Sequence, residues 1–174
     1  MNVTKKANRS PSAWGQEMTD VHHYAPCVRL ARILGSGYLL PSNAMAGGEL
    51  PLLWFSANQR WEPTATKAWK QGSGIVQLSL AEQLERIGCC RFSLPADDQR
   101  LMPWIAACRF AGTGYTLQRK MEAKGRKQGA NPLQWFAVAE AVDLSDLRFS
   151  VFDGRAWSAA DISETANTWK EERQ

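Results

Sequence analysis

Glycine and proline interrupt this 174-residue chain so often that no long element can form. Gly35-Ser36-Gly37, Gly72-Ser73-Gly74 and Gly112-Thr113-Gly114 each close a short apolar or helical stretch, because glycine accepts the left-handed backbone that ends a helix. Between these breaks the pattern predicts strands over residues 20–24, 38–40, 50–56, 75–78, 89–94, 135–142 and 147–152. Pro26 opens a helix whose apolar face is Val28, Ala31 and Leu34, and Pro63 opens a second short helix that Gly72 to Gly74 would end. Ser79 and Glu82 form a capping box, so 80–87 is read as a helix stopping at Gly88. Further helices are expected over 99–110 and 115–127, with a terminal one over 158–172 capped by Ser158 with Asp161. Short strands interspersed with short helices argue an α+β fold. A doubly wound sheet is disfavoured, since no G-x-G-x-x-G lies between a strand and a helix.

The length suits one domain over 20–174, behind a polar, aperiodic and disordered tail over 1–19. With 44% hydrophobic and 22% charged residues the composition is that of an ordinary globular chain. No apolar run reaches about 18 residues and the first residues lack an apolar core, so neither a membrane span nor a secretory signal is expected. Cys27, Cys89, Cys90 and Cys108 form no C-x-x-C pair, and three sit in apolar surroundings. Reduced, buried thiols in a cytoplasmic protein are the simpler reading, and no structural metal is expected.

Two histidines occur in the whole chain, adjacent at His22 and His23. In an extended strand they point to opposite sides, one of them inward. Glu140 is the only charge in the run Trp135 to Val142, and a lone buried carboxylate is costly unless it serves a site. An edge strand, an arginine partner or exposure near the strand end would also explain it, and composition alone favours these. Ser56 stands where an apolar strand opens into a loop, a common position for functional groups, whereas core packing accounts for at least one of Trp54 and Phe55. The segment Gln118 to Asn131 carries Arg119, Lys120, Lys124, Arg126 and Lys127 against Glu122 alone, which equals the net charge of +4. Such a patch attracts polyanions or is simply a solvated helix face.

Three stretches, taken in order, resemble the ADP-ribosyltransferase superfold in its His–aromatic–Glu branch. HHYAPCVRLARILGSGYLLPS is similar to the branch's opening strand, helix and second strand. LLWFSANQRWEPTATKAW is similar to its aromatic-Phe-Ser strand end, and FAVAEAVDLSDLRF to its glutamate-bearing strand. Bacterial and phage proteins share the H-Y, W-F-S and N-P-x-x-W combination; toxins that modify DNA and RNA 2′-phosphotransferases are more distant relatives. The resemblance spans most of 21–157. It implies two small, mostly antiparallel sheets that form a cleft and are flanked by short helices.

The same resemblance implies site residues. His23, with Tyr24, would hold the ribose hydroxyls of NAD, and Trp54, Phe55 and Ser56 would line the nicotinamide side. Glu140 would be the catalytic carboxylate, favouring the positive charge that develops on the sugar as the nicotinamide bond breaks. No arginine matches a phosphate binder, Arg60 and Arg91 being the nearest guesses. The basic residues 119–127 and Gln134 would meet a protein or nucleic-acid acceptor, as in toxin-like members of the superfold. The resemblance thus implies a transferase using NAD as substrate. The alternatives are a catalytically silent binding module or inhibitor, and a phosphotransferase-like or NAD-hydrolysing enzyme on the same scaffold.

Overall fold

The computed structural model describes residues 20–42, 48–71 and 74–171. The expected tail over 1–19 lies outside them. In chain order the first elements are β1 (Asp20–Ala25), α1 (Leu30–Ser36), β2 (Tyr38–Leu39) and β3 (Leu53–Ser56). Then come β4 (Ala68–Gln71), β5 (Gly74–Gln77), α2 (Leu80–Ile87), β6 (Cys90–Pro95) and β7 (Met102–Pro103). The remainder is α3 (Trp104–Ala111), α4 (Tyr115–Lys127), β8 (Trp135–Val138), β9 (Val142–Asp143), β10 (Arg148–Phe152), β11 (Trp157–Ala159) and α5 (Ile162–Glu171).

The architecture is α+β and its strand pairs are antiparallel. In place of two small sheets, seven strands join in the order β11-β10-β6-β1-β3-β8-β7, with β2-β9 and β4-β5 as separate ribbons. The large sheet is nonetheless nearly two. β1 pairs with β6 through six residues, but with β3 at His22↔Ser56 alone. That single junction lets the sheet part along its length, and the parting becomes the cleft described below.

Helices α1 and α5 cover one side of the sheet. Leu30, Ala166 and partly buried Ile33 and Trp169 pack with Val21, Leu53, Phe55, Phe92 and Val138. On the other flank α3 sets Ala107, Ala111 and Trp104 against Ala137 and Trp135 of β8. The four cysteines are buried and free. Burial raises the Cys89 thiol to about 12, so that sulfur stays protonated and packs as a small apolar group.

Local chemistry sets α2 and α4 where expected. Ser79 Oγ accepts from the Glu82 N–H while the Glu82 carboxylate accepts from the Ser79 N–H, and α2 runs over the eight residues between Ser79 and Gly88. Elsewhere the expectation fails for physical reasons. Pro63 opens one turn, Pro63–Ala65, capped by Glu62, and β4 and β5 then pair as a hairpin. Residues 68–71 are therefore strand rather than the end of a helix. The helix expected from residue 99 begins at Trp104, because Pro103 ends β7 there and lacks an N–H to give to a helix. The terminal helix begins at Ile162, where Asp161 Oδ1 accepts from the Ser163 and Glu164 N–H groups, while Ser158 lies in β11. The strand expected over 135–142 stops at Val138 and resumes at Val142 in a different sheet, so Glu140 sits in the bend between them.

Candidate functional site

The cleft at the β1–β3 junction has a volume of about 440 Å3 and is bordered by β1, β3, β8, α4 and the segment 62–67. His23, Tyr24, Trp54, Phe55 and Ser56 all line it. So do Glu62, Lys67, Trp104, Lys124 and Trp135. Three tryptophans form one wall: Trp54 and Trp104 lie 5.3 Å apart between ring centres, and Trp104 meets Trp135 edge-on at 4.9 Å. Such a surface offers planar apolar area to a flat ring system.

His22 is 1% exposed and fully engaged. Gln59 spends its amide N–H groups on the carbonyls of Asp20 and Ala57, so its Oε1 accepts from His22 Nε2–H at 3.2 Å. His22 Nδ1 therefore accepts from Ser93 Oγ–H at 2.8 Å. It is a structural histidine that ties β1 to β6.

His23 differs. Its Nδ1–H donates to the Trp54 carbonyl at 2.8 Å, closing part of the sparse seam between β1 and β3. That bond fixes the tautomer and leaves Nε2 as an acceptor, with no hydrogen-bond partner among the described residues. Burial, then the charge of Lys67, holds the imidazole down to about 4, so it is neutral at ordinary pH. His22 is lowered to about 4 as well, by burial and then by Arg91.

These two depressions have a consequence for acid stability. Each imidazole binds its proton more weakly folded than unfolded, so their contribution is complete above 6.5 and drains away as pH falls toward 4. Stability measured by urea melts should drop by a few kcal/mol, to order of magnitude, across that window. His22→Gln should flatten the slope at some cost in overall stability; an unchanged slope would contradict the assignment.

Among the described residues the carboxylate that borders the cleft is Glu62, not Glu140. Glu140 is exposed and does not border the cleft, because the bend after Val138 carries it past the end of β8. Glu62 is 4% exposed. Its Oε2 accepts from Ser56 Oγ–H at 2.8 Å, and its Oε1 accepts from Thr64 Oγ1–H at 2.7 Å and Thr64 N–H at 3.2 Å. Ser56 in turn accepts from the Asn58 N–H, so its hydroxyl is committed on both sides. Tyr24 donates its hydroxyl to the Asn58 carbonyl, and burial raises its pKa, so it is a neutral wall.

The basic residues divide. Lys124 lines the cleft, whereas Arg119 and Arg126 border a second hollow of about 610 Å3 with Arg109, Tyr115 and Leu133. Trp104 borders both hollows. Its Nε1–H donates to Glu122 at 2.9 Å, and Glu122 also accepts from Gln118 and Arg119 and lies 3.8 Å from Arg126. The Gln118 and Trp104 bonds hold the Glu122 carboxyl below its usual range. Lys120 and Lys127 are exposed on α4 and border neither hollow, and the half-buried Gln134 borders neither. Arg60 and Arg91 are also outside the cleft; Arg91 donates to the Gln59 carbonyl and lies 4.4 Å over the Trp157 ring.

Glu62, Lys67 and Trp104 were not singled out by the sequence, and Trp135 only as the last residue of the N-P-x-x-W motif. Glu62 carried a signal only as an acidic residue placed to cap the turn at Pro63-Thr64. Lys67 carried none, since a lone lysine in a polar stretch is unremarkable. Among the described residues no group of three or more His, Cys, Asp or Glu side chains could hold a metal ion, and no helix is long and apolar enough to cross a membrane. Comparison with known protein families, with curated proteins and with solved structures returns no match.

Proposed function

We propose that this protein binds a dinucleotide of the NAD type in the β1–β3 cleft, on a scaffold of the ADP-ribosyltransferase kind. The observation that carries the reading is the junction itself. The sheet is held at one residue pair, and beside that opening a neutral histidine keeps one nitrogen for a ligand hydroxyl while tryptophans flank it. An NAD molecule presents ribose hydroxyls and a flat nicotinamide ring, which suits those two kinds of group. The adjacency of the three motif-bearing strands, β1, β3 and β8, is a second support.

Cleavage with transfer of ADP-ribose needs a carboxylate beside the nicotinamide ribose. Glu140 is too far along the chain bend to border the cleft, and both oxygens of Glu62 are engaged by Ser56 and Thr64. Those facts favour binding without cleavage, the behaviour of a dinucleotide-binding module, over transfer. Incubation with labelled NAD and cell extract decides between them. The binding reading expects saturable NAD binding with no label transferred and no nicotinamide released. Transfer lost in Glu62→Gln and kept in Glu140→Gln would reinstate an enzyme with Glu62 as its carboxylate; transfer lost in Glu140→Gln would overturn the account of the site.

The macromolecular partner on this reading is polyanionic. Lys120, Lys124 and Lys127 form no ion pair among the described residues, whereas Arg119 and Arg126 share Glu122. About three free cations predict a log–log salt slope of about −2 to −3 for nucleic-acid binding. Replacing the three lysines by glutamine should bring the slope close to zero; retention of the original slope would show that α4 is not the contact surface.

A further inference from the structure

Lys67 is the one basic residue of segment 62–67 at the cleft, and its backbone is fixed on both sides. Its N–H donates to Oε1 of fully buried Gln83 at 2.7 Å, and its carbonyl accepts from the Leu78 N–H at 3.0 Å, at the foot of the β4–β5 hairpin. The side chain therefore starts from a rigid base. Among the described residues its ammonium has no carboxylate partner, and Glu62, the acid lining the same cleft, is committed to Ser56 and Thr64. Burial pulls the Lys67 pKa down, and its charge is the second cause, after burial, of the low pKa of His23. A partly buried cation without a counter-ion is a cost that an anionic ligand would relieve.

A second, independent group points the same way. Trp135, 9% exposed, lines the cleft, and its indole Nε1 is buried without a hydrogen-bond partner. A buried donor left unpaired costs about 1–3 kcal/mol, so such groups are rare unless something else pairs with them. Lys124 adds an exposed cation on the α4 side.

We propose that Lys67, with Lys124 and the Trp135 indole N–H, forms a phosphate-type oxyanion site within the cleft, and that it takes the diphosphate of the bound dinucleotide. The second clause rests on the function proposed above; the first does not. Lysine suits the task as a compact point charge, in the absence of any arginine bordering the cleft among the described residues.

The test uses the full chain and four probes: inorganic pyrophosphate, inorganic sulfate, NAD and nicotinamide riboside. Titration calorimetry is run on the wild type, Lys67→Met and Lys67→Arg. The expected result is pyrophosphate binding lost in Lys67→Met, NAD weakened about 10- to 100-fold, nicotinamide riboside unchanged, and partial recovery in Lys67→Arg. The thermal midpoint of Lys67→Met should equal or exceed that of the wild type, since a desolvated cation has been removed, and this separates lost binding from lost folding. NAD bound equally by wild type and Lys67→Met overturns the oxyanion site and leaves the dinucleotide reading intact. Pyrophosphate bound through Lys67 without any NAD binding upholds the site and overturns the dinucleotide. Sulfate bound as tightly as pyrophosphate would reduce the site to a single-anion contact and overturn the diphosphate assignment.

Discussion

Gly125→Leu is expected to abolish ligand binding in the cleft and to destabilise the fold by about 2–3 kcal/mol. Glycine inside a helix costs about 1 kcal/mol relative to alanine, so Gly125 in the middle of α4 has a reason to be there. The reason is Trp135. A Cβ at position 125 would lie 2.5 Å from Trp135 Cη2 and 2.6 Å from Cζ2, inside any real contact. The indole cannot yield easily, for it is buried and meets Trp104 edge-on at 4.9 Å. Its remaining freedom is toward the cleft, which it and Gly125 both line. A larger residue therefore converts a wall into a plug. Gly125→Ala should show a smaller version, with part of the overlap offset by the better helix former. Chemical melts give the stability change, and titration with NAD gives the binding change. A Gly125→Leu protein that binds NAD normally would mean the indole moves elsewhere and that the wall is misassigned.

Gly88→Ala is expected to have the largest effect on stability, a loss of about 3–5 kcal/mol without any direct effect on the cleft. Two separate costs add at this position. Gly88 holds φ +64, a backbone region L-residues rarely enter, and a Cβ there would lie 2.3 Å from Trp169 Cζ2 and 2.7 Å from Cys27 Cβ. The close approach seats Trp169 of α5 against the turn between α2 and β6, so the substitution also pries at the layer covering the sheet. Gly112 provides the control. It has φ +78, but a methyl group added there would meet open space, so Gly112→Ala bears only the backbone strain, about 1 kcal/mol. For a chain of this size the thermal midpoint should fall by roughly 10 °C for Gly88→Ala and by a few degrees for Gly112→Ala. Equal falls would show that the contact with Trp169 contributes nothing.

Legibility in the sequence followed the range of the forces involved. The helix α2 and the bounds of α4 were readable because a capping box and flanking glycines act within four residues of the ends they define. The hairpin β4–β5 was not, since Gly72-Ser73-Gly74 serves as well for a hairpin turn as for a helix stop, and the choice depends on which strand Ala68–Gln71 can pair with. Strand order is wholly non-local: nothing near residue 93 announces that β6 will lie between β1 and β10.

The site divides in the same way. His23, Tyr24, Trp54, Phe55 and Ser56 are named through the motifs of the resemblance, with Ser56 alone marked by its place at a strand end, and all five border one cleft. The expectation for Glu140 comes from the resemblance and assumes a strand that continues over 135–142. The chain instead bends at Ala139-Glu140 so that Val142 can pair with Leu39 of β2, and the carboxylate is left in solvent. Lys67 and Trp135 gain their meaning only from what surrounds them: a rigid backbone without a counter-ion, and a buried indole without an acceptor.

Ligand-observed saturation-transfer NMR with NAD is the most direct measurement of the central claim. Transfer to both the nicotinamide and the ribose protons is expected for the wild type, strongly reduced in His23→Ala and in Trp54→Ala, and unchanged in Glu140→Gln. No transfer at millimolar NAD, or transfer that His23→Ala and Trp54→Ala leave intact, would contradict a dinucleotide seated at the parting of the sheet.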